Sequence, residues 1–421
     1  MANNSKKKIA DLSFPFFFIL PWLGFILSLF NIKSRISSII YIASAIVFGY
    51  AFSFADSSAD SIRYGLAFQS FDKSLNYERI ISLYKDGELR DLYRVILYYF
   101  TSLFSNNPKV MFAIAGGVYG FFSYKNMLIL KENFGYKFDN ITFIISLCFF
   151  VYCCFSNING LRFTTGAMVM FFVVYNLIIN NKKKYLLGVF ILPLFHYSFI
   201  LLIPILLIYL LIKNILYKKN RISPLLYYFF IATFLASWLL GTNSIKLGFL
   251  SDSGLIGGEI GNRFEYLNSD SLTEHVSRRA QNSLFLSVQK YFDYAIRIYV
   301  FIVILYLFKL FKRIRGNKSY YYNYLAFILF YYSFSFISLS FPSGERFMFI
   351  GHLFLFALLA KVYSMYDNRL FQKLILLSLP AFIFNITFNV FFLSLMLVTH
   401  TYWYGNFFWV IYEGLGFKIS I

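Results

Sequence analysis

The groups in this chain that can do chemistry are a few arginines, a histidine and a few aspartates, set in an otherwise apolar sequence. Arg162 stands where one apolar run pauses and the next begins, in NINGLRFTTGAMVMFF, residues 157–172. Gly166 lies one helical turn beyond it and Thr165 three residues on, so one helix face carries the guanidinium together with small residues. Small residues let a neighbouring helix backbone approach closely. An arginine at membrane depth costs roughly 2.5–3.5 kcal/mol on insertion scales, so it faces a partner or a wet cavity. Arg162 therefore reads either as one wall of a buried anion site or as a helix-end arginine snorkelling to the interface. Arg346, in PSGERF, follows the helix-start residues Pro342 and Ser343. In a first turn its charge adds to the positive end of the helix dipole, and its fork suits two phosphate oxygens. Glu345 beside it offers the plainer alternative of an ion pair.

His196 sits in LPLFHYSFILLIP, between Pro193 and Pro204. There it is either a satisfied structural residue or a group facing a cavity at a break in the helix. Arg263, in GNRFEY, belongs to a polar loop, where arginines are ordinarily solvated; Arg278 and Arg279 further along add to the attraction of an anion. Asp56 and Asp60, in DSSADSIRY, can be read as a base, a metal site or plain loop acids. With no histidine nearby they are poor metal evidence. Asp60 with Arg63 and Tyr64 is alternatively a set for sugar hydroxyls. Cys148, Cys153 and Cys154 share one apolar span and form neither a metal spacing nor a disulfide framework. The glycines of GLIGGEIGNR precede no GK[ST] and open no βαβ unit, so they give little support to a phosphate loop.

The elements that must position these groups follow from composition. Hydrophobic residues make up 59% of the chain and charged residues 14%, which fits a polytopic membrane protein and not a soluble one. A net charge of +20 would suggest nucleic acid in a soluble chain, but the basic residues here fall in short runs between apolar segments. The expected fold is all-α: a single integral membrane domain over 1–421, a polytopic transmembrane helix bundle with re-entrant or half-helices. At about 20 residues per span it would have roughly 11–13 spans. Apolar runs lie at 14–30, where Pro15 and Pro21 should bend the helix, and at 36–54, 110–130, 141–156 and 162–180. Further runs lie at 224–241, 291–311, 320–340, 347–365 and 374–398. The piece 95–104 is too short to span and reads as a half-helix. Segment 185–217 has basic flanks at both ends, so the chain should turn around His196 and Ser198 in a tight hairpin with its tip outside. The polar stretch at 242–290 is then extracytoplasmic; that at about 55–107 is extracytoplasmic if 95–104 does not span, which also puts the lysine-rich N-terminus outside against the charge rule, and cytoplasmic if it does. No cleavable leader is expected, since the first apolar run leads straight into a second.

Taken together, these segments resemble the Wzy-type polysaccharide polymerases, most closely the EpsG-like branch. The matching elements are an outer-loop aspartate followed by Tyr (Asp60 to Tyr64) and an N-x-x-R helix start (Asn159 to Arg162). H-x-S follows (His196 to Ser198), then an outer R-x-x-Y (Arg263 to Tyr266) and a late arginine opening a helix (Glu345, Arg346). The order covers the chain from about 50 to 365. Phe163 stands where the family often has Gln. The resemblance implies a membrane glycosyltransferase with a GT-C-like outer-face cavity. It would polymerise undecaprenyl-pyrophosphate-linked oligosaccharide repeat units at the outer face of the bacterial cytoplasmic membrane, by inversion and without metal or cofactor. On this reading His196 and Asp60 are the catalytic candidates, and Arg162, Arg346 and Arg263 bind the pyrophosphate. Tyr64, Arg63, Asn159 and Tyr266 bind the glycan. The implied partners are the lipid-linked oligosaccharide, the bilayer and a chain-length regulator protein, with no nucleic acid. Competing readings are an O-antigen ligase-like or polyprenyl-phosphate-sugar transferase and, in another class, a lipid-linked oligosaccharide transporter. Transporters usually show internal repeats, and none is seen here.

Overall fold

A computed structural model describes residues 2–54, 60–71, 78, 91–218, 221–239, 284–313, 319–341, 344–366 and 368–419. The fold is a helix bundle; among the described residues the only strands are a two-residue antiparallel pair, Tyr217–Lys218 with Arg221–Ile222. Its axis is the helix Glu345–Met365, which is buried along nearly its whole length. That helix is apolar on every side, as a helix enclosed by others must be. Around it pack the helices Pro108–Phe134, Asn140–Cys153, Leu161–Val174 and Ser319–Ser338.

Among the described residues, five helical stretches are long and apolar enough to cross a membrane. They are Asn140–Ile179, Tyr197–Leu216, Val288–Lys312, Glu345–Met365 and Arg369–Leu397; Arg35–Tyr50 and Pro224–Leu239 are shorter apolar helices. This is fewer than the apolar runs suggest, for two physical reasons. Some runs are broken: the first divides at Pro21 into Ala2–Ile19 and Pro21–Leu29. Others, such as Ser319–Ser338, are long enough but diluted by tyrosine and serine. The stretch Asn140–Ile179 is itself two arms, joined by the 3₁₀ segment Phe155–Gly160. The arms meet through Phe149 against Phe171 and through Cys153, whose Sγ lies 3.8 Å from Met168 Sδ.

The short piece expected at 95–104 is the helix Leu92–Ser102. The break at His196 is also real: a helix ends at Phe195, and a 3₁₀ turn, Tyr197–Leu201, starts the next, Leu202–Leu216. The two arms do not form the tight hairpin expected, however. Leu186–Phe195 packs on Leu161–Val174, whereas Leu202–Leu216 packs on Ser319–Ser338. The reason is Gly166. A Cβ there would lie 2.5 Å from the Phe199 ring and 2.9 Å from Phe195 Cβ, so the turn is seated on the helix that carries Arg162. The first arm follows that helix and leaves the second free to find another partner.

Gly166→Leu should therefore push the His196 turn off its seat. Overpacking of this kind costs about 1–3 kcal/mol, to be read as a lowered thermal midpoint of the purified protein in detergent. An unchanged midpoint would show that the turn is not seated on Gly166.

Candidate functional site

The site begins with connections that tie one helix end to two helix starts. Asn157 donates its amide to the carbonyls of Val151 (3.0 Å) and Tyr152 (3.1 Å), satisfying the end of Asn140–Cys153. Thr164 Oγ1 donates to Asn157 O at 2.6 Å, tying the next helix to the same turn. Asn159 Oδ1 accepts from Ser61 N–H at 2.9 Å, which fixes the helix Asp60–Gln69 against this 3₁₀ segment. The helix Asp60–Gln69 is thus docked onto the start of the Arg162 helix.

Arg162 is not free. Its Nε donates to Tyr64 Oη at 2.9 Å and one terminal nitrogen pairs with the Asp91 carboxylate. The Asp91 side chain is 0% exposed and that of Arg162 21%. An aspartate just before a helix ordinarily caps it. Asp91, preceding Leu92–Ser102, makes no such bond. Its other oxygen accepts from Tyr197 N–H at 2.9 Å, across the bundle in the His196 turn. One carboxylate therefore joins the first polar stretch, the Arg162 helix and that turn.

Phe163 is the hub beside it. Its ring stacks on Phe199 (5.4 Å, 3°) and meets His196 edge-on at 5.6 Å. The Arg346 guanidinium lies over the Phe163 ring, 5.6 Å from its centre. Arg346 occupies the first turn of Glu345–Met365, as expected, and forms no ion pair with Glu345 or any other described residue. His196 is buried, 4% exposed. Its Nδ1 lies 2.8 Å from Ser198 Oγ and accepts from Ser198 N–H at 3.2 Å. In the neutral ring the proton then belongs on Nε2, so His196 acts outwards as a donor.

These groups line one cavity of about 390 Å³, within the roughly 300–1,000 Å³ typical of ligand pockets. Of the residues singled out from sequence, Asp60, Tyr64, Arg162, His196 and Arg346 all line it. Arg63 and Asn159 do not: Arg63 pairs with Asp60 on an exposed face, and Asn159 is engaged with Ser61. Asp56, Arg263, Tyr266, Arg278, Arg279, Pro342 and Ser343 lie outside the described residues. On another wall stand groups the sequence reading passed over: Gln289, Asp293 and Arg297 from Leu284–Arg313, and Asn385 and Asn389. His352 is a further lining residue, its Nδ1 2.9 Å from Tyr332 Oη. Asp293 and Arg297 carried an available signal, since an ionisable residue inside an apolar run is a functional candidate by default. Asp91 carried none beyond its place ahead of a short apolar helix.

No family model matches the chain, and no curated protein or solved structure matches it.

Removing one partner of a buried ion pair leaves the other charge uncompensated. Asp91→Ala should cost about 3–5 kcal/mol of stability, seen as a lowered thermal midpoint, and the double variant Asp91→Ala/Arg162→Leu should recover much of it. If Asp91→Ala lowers the midpoint no more than Arg63→Ala on the exposed face, the bridge is not structural.

Proposed function

We propose that this chain is a membrane glycosyltransferase of the Wzy type. On this reading its cavity is GT-C-like and faces the outside of the bacterial cytoplasmic membrane. The substrate is an oligosaccharide repeat unit carried on undecaprenyl pyrophosphate, which the enzyme joins into longer chains. The observation that carries the proposal is the convergence of Asp60, Tyr64, Arg162, His196 and Arg346, drawn from four distant segments, on a single cavity. The family resemblance needs those segments together, and nothing in their local sequence requires it.

The chemistry follows from the charges. An acceptor hydroxyl oxygen forms a bond to the anomeric carbon while the carbon–oxygen bond to the pyrophosphate breaks. The electron pair leaves with the pyrophosphate, and a single displacement of this kind inverts the anomeric centre. Arg346 lies on an aromatic face and has no counter-ion among the described residues, so its planar fork suits two of the developing anionic oxygens. Arg162 has its Nε and one terminal nitrogen engaged by Tyr64 and Asp91, and contributes its charge and remaining donors from the side. The Nε2–H of His196 is a neutral donor for the same group or for a sugar oxygen. The lipid tail would enter between helices and remain in the bilayer.

Reconstituted protein supplied with lipid-linked repeat units should yield a ladder of lengthened glycans. Repeat units moved across the bilayer without lengthening would favour the transporter instead. Lysine at position 346 keeps the charge but loses the fork, so Arg346→Lys should lower elongation by about 10²–10³-fold, the usual cost of one oxyanion donor. A folded Arg346→Lys protein that elongates normally would remove Arg346 from the reaction.

A further inference from the structure

The cavity has a second wall with different chemistry. Gln289, Asp293 and Arg297 follow one another at intervals of four on Leu284–Arg313, so they share one face of that helix, and all three line the cavity. The helix packs against Ser378–Asn385, which runs into a π-helical segment, Ile386–Phe392. Asn385 and Asn389 line the cavity from there. Helical segments of π type recur at functional sites, because the widened turn re-aims side chains. Beside the buried Arg297, this part of the lining presents amides and a carboxylate, the groups that bind sugar hydroxyls from both sides of the hydrogen bond.

The reaction needs an acceptor for the hydroxyl proton, and the groups on the other wall are poorly suited. His196 already receives a proton donor on Nδ1 and would carry its proton on Nε2. The Asp60 carboxylate is held by Arg63, and its side chain is 42% exposed. Glu345 is exposed at the first turn of the central helix, next to Arg346. Asp293 differs from all three: it is half-buried, it lines the cavity, and it forms neither a hydrogen bond nor an ion pair with any described residue. Arg297, one turn further in, is 8% exposed, with its guanidinium 5.2 Å from the centre of the Tyr294 ring.

We propose that Asp293 is the general base of the glycosyl transfer and that Gln289, Asn385 and Asn389 form the acceptor-sugar subsite around it. This rests on the glycosyltransferase reading above. The acceptor hydroxyl gives its proton to the Asp293 carboxylate as its oxygen bonds to the anomeric carbon. The electron pair of the breaking carbon–oxygen bond leaves with the pyrophosphate.

The test uses the full chain in proteoliposomes, with lipid-linked repeat units extracted from cells lacking this protein. Elongation is read as a glycan ladder, and binding is read separately with sugar-free undecaprenyl pyrophosphate. A general base contributes about 10²–10⁴-fold. Asp293→Asn should therefore slow elongation by at least about 10²-fold while leaving undecaprenyl pyrophosphate binding as in the unaltered protein. Asp293→Glu should retain part of the rate. The double variant Asp293→Asn/Arg297→Gln tests a purely structural role, since it removes both charges at once. If Asp293 merely balanced Arg297, elongation would return in the double variant, and that result would overturn the proposal. So would an Asp293→Asn protein that elongates within a few-fold of the unaltered chain, while leaving the glycosyltransferase reading intact. An unaltered chain that binds the lipid but lengthens no glycan would instead overturn that reading and this proposal with it.

Discussion

An arginine inside an apolar bundle must have its charge met, and much of this site follows from how Arg162 meets that demand. The partner is Asp91, a carboxylate with no exposed side-chain surface. Two buried ions cost desolvation that their mutual attraction offsets only when the remaining donors and acceptors are also satisfied. Here they are drawn from different parts of the chain: Tyr64 takes the guanidinium Nε–H, and Tyr197 N–H takes the second carboxylate oxygen. Meeting one charge therefore fixes Tyr64, Asp91, the Arg162 helix and the His196 turn relative to one another. A snorkelling arginine would have required none of this, because water would have met its charge.

The second arginine is treated in the opposite way. Among the described residues Arg346 is met by an aromatic ring and not by a carboxylate. A ring face attracts a cation without neutralising it, at about 0.5–2 kcal/mol, so the fork stays available to an anion. Phe163 can hold it because the ring is itself fixed by stacking on Phe199, in the turn seated over Gly166. The position where the resembling family often carries an amide is thus the aromatic centre of this site. One arginine organises the cavity and the other is left free to act within it.

Packing supplies the rigidity that such a division needs. The helices Arg35–Tyr50 and Pro108–Phe134 approach so closely that a Cβ on Gly116 would lie 2.4 Å from Ala45 O, and one on Gly120 2.4 Å from Ala45 Cβ. Between helices in lipid there is no hydrophobic drive, so close backbone contact of this kind carries the association. Glu345–Met365 is enclosed on all sides and presents only its first turns to the cavity, through Glu345, Arg346, Met348, Phe349 and His352. What this helix gives to the cavity sits at one end, and its remainder cannot move without disturbing the core.

The sequence by itself determined the helical class, the multi-pass apolar character, the break at His196 and the placing of Arg346 in a first helical turn. Each of these is written in local composition: apolar runs, basic flanks, and residues that start or interrupt a helix. Asp60, Tyr64, Arg162, His196 and Arg346 were also legible as chemically capable residues, because polar groups stand out against so apolar a background. Their gathering around one cavity was not legible, nor were the Asp91 bridge, the Phe163 hub and the wall bearing Asp293. The structure alone also decided that the arms flanking His196 part company, and that Asn159 is engaged with Ser61. The physical reason is that periodicity and charge runs report how a residue sits relative to its own helix. Which distant carboxylate meets a buried guanidinium, and which ring lies beneath a free one, depends on how separate helices pack.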